Sequence, residues 1–246
     1  MSAPSTTRPT ELVGRVWEAL STVRDPELDA DVVTLDFVGS CTVSDSGEAT
    51  VRLRLPTYFC APNFAFLMVA DAHDAVSTVD GVRTADVTLV DHFASDAINA
   101  GVAARAGFVG SMTGAPAGIA PVGEAVAELD ELRATFTARA VMAGTDVVVR
   151  PLLRAGRTPA EVAAMTLGEA PDTRDRERLR ARRGELGLPA SDDSPLVVDP
   201  TGNAVGLDAL PLHLRKARSY QVGVEANTTI CSGQLTARYG QPARES

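Results

Sequence analysis

The chain has 246 residues, with 23 basic against 32 acidic side chains for a net charge of −9, and a hydrophobic fraction of 45%. That apolar content supports a sizeable core and excludes wholesale disorder. The acidic balance argues against a general nucleic-acid binder, which normally presents a basic face. Aromatic residues make up only 4%, so the core must rest on Val, Leu and Ala. No apolar run reaches the roughly 18 residues of a membrane span. The opening MSAPSTTRPTEL lacks the charged-then-apolar layout of a secretory leader. Three widely spaced cysteines make no disulfide framework. The expectation is a cytoplasmic protein that neither enters a membrane nor binds nucleic acid. Charge is uneven: residues 1–91 carry six Arg against 14 acids, whereas 92–246 carry 17 basic and 18 acidic groups.

Residues 9–23 are predicted as a helix, with Pro9 in the first turn and Leu12, Val16, Leu20 and Val23 forming one apolar stripe. Asp25-Pro26 stops the pattern, because the residue before a proline is pushed out of the helical region. Residues 32–43 and 49–55 are predicted as strands joined through 44–48. In the second, Val51, Leu53 and Leu55 alternate with Arg52 and Arg54, the signature of a half-buried hairpin strand. A helix over 62–79 follows, led by Pro62 and lined by Phe64, Leu67, Met68, Ala72, Ala75, Val76 and Val79. A third strand is expected over 82–90. The order helix–strand–strand–helix–strand makes a complete two-layer α/β domain over 1–91.

Beyond it the expectation is a mainly helical extension over 92–188 and a short β-containing tail over 189–246. Within the extension, 94–106 reads as a short Ala-rich helix and 107–123, rich in Gly and Pro, as a linker. A long helix is expected at 122–143, with Val122, Val126, Leu129, Leu132 and Phe136 on one side. Thr158-Pro159-Ala160-Glu161 has the form of a capped helix start. Residues 172–185 alternate Arg with acids and read as a solvated helix, and Pro, Asp and Ser at 189–195 as a boundary. In the tail, Asp199-Pro200-Thr201-Gly202-Asn203 reads as a hairpin turn, followed by a mixed Gly-containing stretch.

Two short segments can carry chemistry. In Pro56-Thr57-Tyr58-Phe59-Cys60-Ala61-Pro62, Cys60 leaves a strand at the threshold of a helix, where unpaired N–H groups and the dipole favour a thiolate. Thr57 is placed to bond that sulfur or to shape the turn. A small buried cysteine serving as a hydrophobe fits the same spacing. In Asp25-Pro26-Glu27-Leu28, two carboxylates flanking a proline suit either an acidic site or a simple turn. Cys41 falls within a strand and reads as packed. Cys231 lies in Asn227-Thr228-Thr229-Ile230-Cys231-Ser232-Gly233, a turn-like stretch that would leave it exposed as a metal ligand. His73, His92 and His213 share no ligand spacing. There is no Glu-x-x-His pair, H-E-x-x-H, Walker A or G-x-S-x-G.

The order helix, DPEL, hairpin, PT-x-x-C, helix, strand resembles the SufT/PaaD-type metal-sulfur cluster assembly family over residues 10–91. Asp25 and Glu27 match the family's acidic motif, Thr57 its threonine and Cys60 its reactive cysteine. The chain departs from the family pattern in having two residues rather than three between Thr57 and Cys60, Ala61 between Cys60 and the proline, and Asp36 where glycine is usual. The resemblance implies an accessory factor without turnover chemistry, which assists iron or iron–sulfur cluster delivery to a client metalloenzyme. Pro56-Thr57-Tyr58 is closest to the PaaD branch, which implies a multicomponent diiron oxygenase as client. The implied partners are that client, other assembly proteins and a homodimer mate. The implied cargo is a transient iron ion or iron–sulfur cluster touched by Cys60, while Cys231, outside the resemblance, is a further candidate ligand on its turn-like stretch alone. A four-thiolate site needs more cysteines than the three present. Two alternatives remain: a folding or interaction partner whose metal site has decayed, and an enzyme using Cys60 as nucleophile with His73 or His92 as base.

Overall fold

The computed structural model describes residues 9–113 and 122–240. Residues 1–130 with 228–246 form one unit, and residues 131–227 a second. The division falls within two long helices. Of the leader and linker expectations, residues 1–8 and 114–121 lie outside the described residues.

In the first unit, helix α1 (Pro9–Leu20) buries Leu12, Val16 and Leu20, and Val23 continues the stripe past its end. The helix closes earlier than expected because Ser21 and Thr22 turn their hydroxyls back onto Glu18 O and Ala19 O at 2.6 and 2.7 Å. Two short strands follow, β1 (Arg24–Asp25) antiparallel to β2 (Ala30–Asp31). The strand expected over 32–43 starts only at Val38. Asp31 accepts the Thr34 N–H at 2.7 Å, and Asp36 adopts a left-handed φ of 58°. Those two aspartates curl 32–36 into turns, a local bond outcompeting the extended form.

Strand β3 (Val38–Val43) then pairs antiparallel with β4 (Glu48–Arg54), as the alternation predicts. Helix α2 (Pro62–Ser77) crosses over to β5 (Thr84–Val90), which lies parallel to β4, with Val51 opposite Val87 and Leu53 opposite Leu89. Val51, Leu53, Leu55, Phe66, Val69, Val87 and Leu89 form the core between sheet and helices. Helix α3 (Ser95–Ala103) lies where a short helix was expected. Part of the expected linker is instead helix α4 (Phe108–Thr113). Phe108 and Met112, four residues apart, pack on the core, and the Phe108 ring meets Phe66 at 5.8 Å. Gly101 permits the approach of α3 to α4, since a Cβ there would fall 1.8 Å from Ser111 Oγ.

Helix α5 (Val122–Arg154) runs further than the expected 122–143, carrying Pro151 inside it. The side chains of Val122 and Val126 lie outside the described residues. In the second unit, Thr158 and Glu161 form the expected capping box at the start of α6 (Pro159–Ala164). Helix α7 (Arg174–Glu185) carries the expected charges but is not wholly solvated, for Leu179 and Arg183 are buried. Arg183 donates to Pro195 O at 2.9 Å and to Leu196 O. Those carbonyls attract it inward because backbone oxygens there need donors. Leu196 N also donates to Met165 O at 2.8 Å, so the Pro/Asp/Ser run is stitched to its neighbours. Asp199 N donates to Asn203 O at 2.9 Å in the expected turn, closed by a bridge between Val198 and Ala204.

The mixed stretch after that turn is a 30-residue helix, α8 (Leu210–Tyr239). Its glycines weaken it intrinsically, but burial captures both ends. Leu210 and Ala217 are buried in the second unit, and Leu235 in the first. The chain is thus an α/β region followed by a mainly helical one. Among the described residues no helix is long and apolar enough to cross a membrane.

Replacing Leu53 by Ala empties part of the sheet–helix core and should lower the unfolding free energy by about 2–5 kcal/mol. Leu207→Ala, at a half-exposed position, should change it by no more than about 0.5 kcal/mol. Urea midpoints of the two variants should separate accordingly.

Candidate functional site

Because β4 and β5 run parallel, the segments that leave them emerge at the same edge of the sheet. Residues 55–61 leave β4 there, and residues 91–94 leave β5. Phe93 N donates to Tyr58 O at 3.2 Å. His92 is buried, with Nε2 2.8 Å from Cys60 O and Nδ1 3.2 Å from Ala94 N. The Ala94 N–H must donate to Nδ1, so Nε2 carries the proton and donates to the Cys60 carbonyl. Both ring nitrogens are therefore spent on the backbone, and His92 holds the cysteine's main chain rather than its sulfur. His73 faces Asp74 at 3.4 Å, about 16 Å of helix rise beyond Pro62. The Cys–His contact that a Cys60 nucleophile needs is absent among the described residues.

Cys60 is half-buried immediately before Ala61 and Pro62 open α2. Its Sγ lies 3.3 Å from Thr57 Oγ1, and that oxygen also accepts the Phe59 N–H at 3.3 Å. The two-residue spacing therefore still brings threonine to cysteine. The same two segments carry three exposed aromatic rings, with Tyr58–Phe59, Phe59–Phe93 and Tyr58–Phe93 centroids 5.0, 5.9 and 6.3 Å apart. Phe59 is 77% exposed, and in a chain so poor in aromatics the cluster is a marked apolar surface.

Asp25 is buried, and one of its carboxylate oxygens accepts both Glu27 N at 2.9 Å and Leu28 N at 2.8 Å. Asp29, with φ 49°, closes the turn. Burial pushes the Asp25 carboxyl up from 3.8 to about 6, outweighing the two hydrogen bonds that pull it down. Glu27 points to solvent.

Cys231 is not in an exposed turn. It sits on α8, half-buried against the core that also receives Cys60. Burial pushes its thiol up to about 11, and the charges of Asp25, Cys60 and Glu27 push in the same direction. Cys231 therefore lies within electrostatic reach of all three. Further along α8, Leu235 is buried, and Arg238 donates to Leu55 O at 3.3 Å and Asp91 O at 2.5 Å. Tyr239 donates to Asp91 Oδ2 at 3.2 Å, and the Arg54 guanidinium lies 4.8 Å over its ring. Arg54 in turn holds Asp36 at 2.6 Å. Cys41 stays half-buried in β3, its thiol pushed by burial to about 11.

Sequence reasoning missed His92 as a positioning residue, saw Arg54 only as the polar face of a strand, and missed Arg238 and Tyr239 altogether. His92 had a signal, its place directly after a core strand. Arg238 had none, being 183 residues from its partner Leu55. Among the described residues no three His, Cys, Asp or Glu side chains are placed together to hold a metal ion.

The raised Asp25 pKa favours the protonated folded chain. Its stabilisation is complete below pH 3.8 and is lost as pH rises through about 6. The full swing is roughly 3 kcal/mol. Asp25→Asn keeps a neutral acceptor for the two N–H groups. It should flatten the stability profile between pH 4 and 7, read as urea midpoints across that range.

A family model described as iron-sulfur cluster assembly protein matches residues 14–88. An uncharacterized protein of Methanocaldococcus jannaschii is 30% identical over 84 residues, which cover 34% of this chain and 86% of that protein. No solved structure matches the chain. The matched residues run from α1 through β5 and include Asp25, Glu27, Thr57 and Cys60. Through that domain the chain belongs to the iron-sulfur cluster assembly protein family, which supports a role in iron–sulfur cluster assembly.

Proposed function

We propose that Cys60 is the thiol through which this chain handles iron or an iron–sulfur cluster on its way into a client metalloenzyme. The observation that carries the proposal is the 3.3 Å approach of Thr57 Oγ1 to Cys60 Sγ across the shortened loop. A hydroxyl at that place donates to a thiolate and steadies it while cargo is taken up or released. The His92 bond to the Cys60 carbonyl fixes the loop from behind. Asp25 builds the neighbouring turn, and Glu27 presents an exposed carboxylate that favours a cation near the site. The Tyr58, Phe59 and Phe93 rings supply apolar area for contact with the client.

One monomer lacks the four thiolates of a common cluster site. The cargo is therefore held transiently, or shared by a homodimer that pools two copies of Cys60. The client class is a multicomponent diiron oxygenase, as the Pro56-Thr57-Tyr58 resemblance to the PaaD branch implies, and other assembly proteins supply the cargo. The chain itself performs no turnover reaction.

Anaerobic maturation of the client, followed by its metal content, tests the proposal. Cys60→Ser should leave the client unmetallated while the variant stays folded. Phe59→Ala, at a side chain that buries little, should keep stability within about 0.5 kcal/mol and weaken client association. Full client metallation by Cys60→Ser would instead favour an interaction partner whose metal site has decayed.

A further inference from the structure

Cys231 lies outside the family match, yet α8 carries it to the family site. Cys231, Leu235, Arg238 and Tyr239 recur at spacings of four, three and one, so they share one face of the helix. The contacts made by that face fix where it points. Leu235 is buried in the core that receives Cys60, and Arg238 is bonded to Leu55 O, five residues before Cys60. Tyr239 is bonded to Asp91, next to the His92 that holds Cys60. Cys231 packs on the same core, where burial first and then the negative charges of Asp25, Cys60 and Glu27 push its thiol up. Two unlinked, half-buried thiols 171 residues apart in sequence thus pack on one core, on the side where α8 is anchored to the segments flanking Cys60 and His92.

We infer that Cys231 is the resolving thiol of Cys60, and that a low-molecular-weight disulfide converts the two into an intrachain disulfide. The Cys60 thiolate attacks one sulfur of the small disulfide, forming a mixed disulfide and expelling the first small thiolate. Cys231 then loses its proton to solvent and attacks the Cys60 sulfur, expelling the second. Two cysteine thiols are oxidised, one small disulfide is reduced to two small thiols, and the protons lost by the cysteines end on those products. The new bond ties α8 to the Cys60 loop. It also withdraws the Cys60 thiol from cargo, a consequence that rests on the function proposed above.

The test uses full-length reduced protein treated with oxidised glutathione, alkylated and mapped by peptide mass spectrometry. Wild type should give a linked Cys60–Cys231 peptide, one remaining alkylated thiol at Cys41 and no retained glutathione. Cys231→Ser should instead keep glutathione on Cys60. Arg238→Ala, which loosens the anchor of α8 without touching either sulfur, should slow formation of the linked peptide severalfold. Any wild-type result without that peptide, or with Cys41 in the link, overturns the inference. Client metallation by the reduced protein measures the Cys60 cargo role separately, so failure of one does not imply failure of the other.

Discussion

The parallel pairing of β4 with β5 is the constraint from which the site follows. A hairpin alone would have sent successive strand ends to opposite edges. Placing α2 as a crossover between β4 and β5 returns the chain in the same direction. The loop before α2 and the segment after β5 therefore emerge side by side, at the carboxyl ends of the strands, where open α/β sheets generally present their functional loops. Every bond between the Cys60 loop and its support, from Phe93 N to Tyr58 O and from His92 to Cys60 O, depends on that direction.

The same edge receives the end of α8. Two aspartates outside the regular strands, Asp36 and Asp91, take left-handed backbone angles of 58° and 54°. Such angles are easier for glycine than for aspartate. Each is held by the extension or by a residue in contact with it. Arg54 grips Asp36 while stacking on Tyr239, and Tyr239 and Arg238 bond to Asp91. The left-handed turn at Asp36 is thus matched by an arginine on β4 and an aromatic residue on α8. That linkage joins turns of the small domain to a segment far along the chain.

Charge is managed differently in the two units. In the first, Asp25 and Cys231 are held towards their neutral forms because burial and neighbouring negative groups act together. In the second, Arg183 is fully buried and bonded to two backbone oxygens, and burial lowers its pKa to about 10. There the charge secures a loop, stitching residues 195–196 to α7. Asp146, buried on α5, is met by Arg150 and Arg218 at 3.3 and 3.4 Å, so opposite charges balance in that unit.

Much of the small domain was legible because its signals are local. The stripe of Leu12, Val16 and Leu20, the alternation through Val51 and Leu53, and the Thr158–Glu161 capping box each lie within one or two turns or a single strand. Asp25 and Thr57 were likewise readable, since their bonds reach only two or three residues along the chain. Where a prediction missed, a bond or burial invisible in the pattern prevailed. Asp31 curled an expected strand, packing of Phe108 and Met112 made part of a linker helical, and burial of Leu210 and Leu235 carried a helix through a glycine-containing tail. By itself the sequence determined the helix–hairpin–helix–strand order of the small domain and the positions of its acidic and cysteine motifs. Only the tertiary structure decided that β5 lies parallel to β4, that His92 serves the Cys60 backbone and that Cys231 packs on the core that also receives Cys60. Those facts depend on contacts between residues tens to hundreds of positions apart, and no local spacing encodes them.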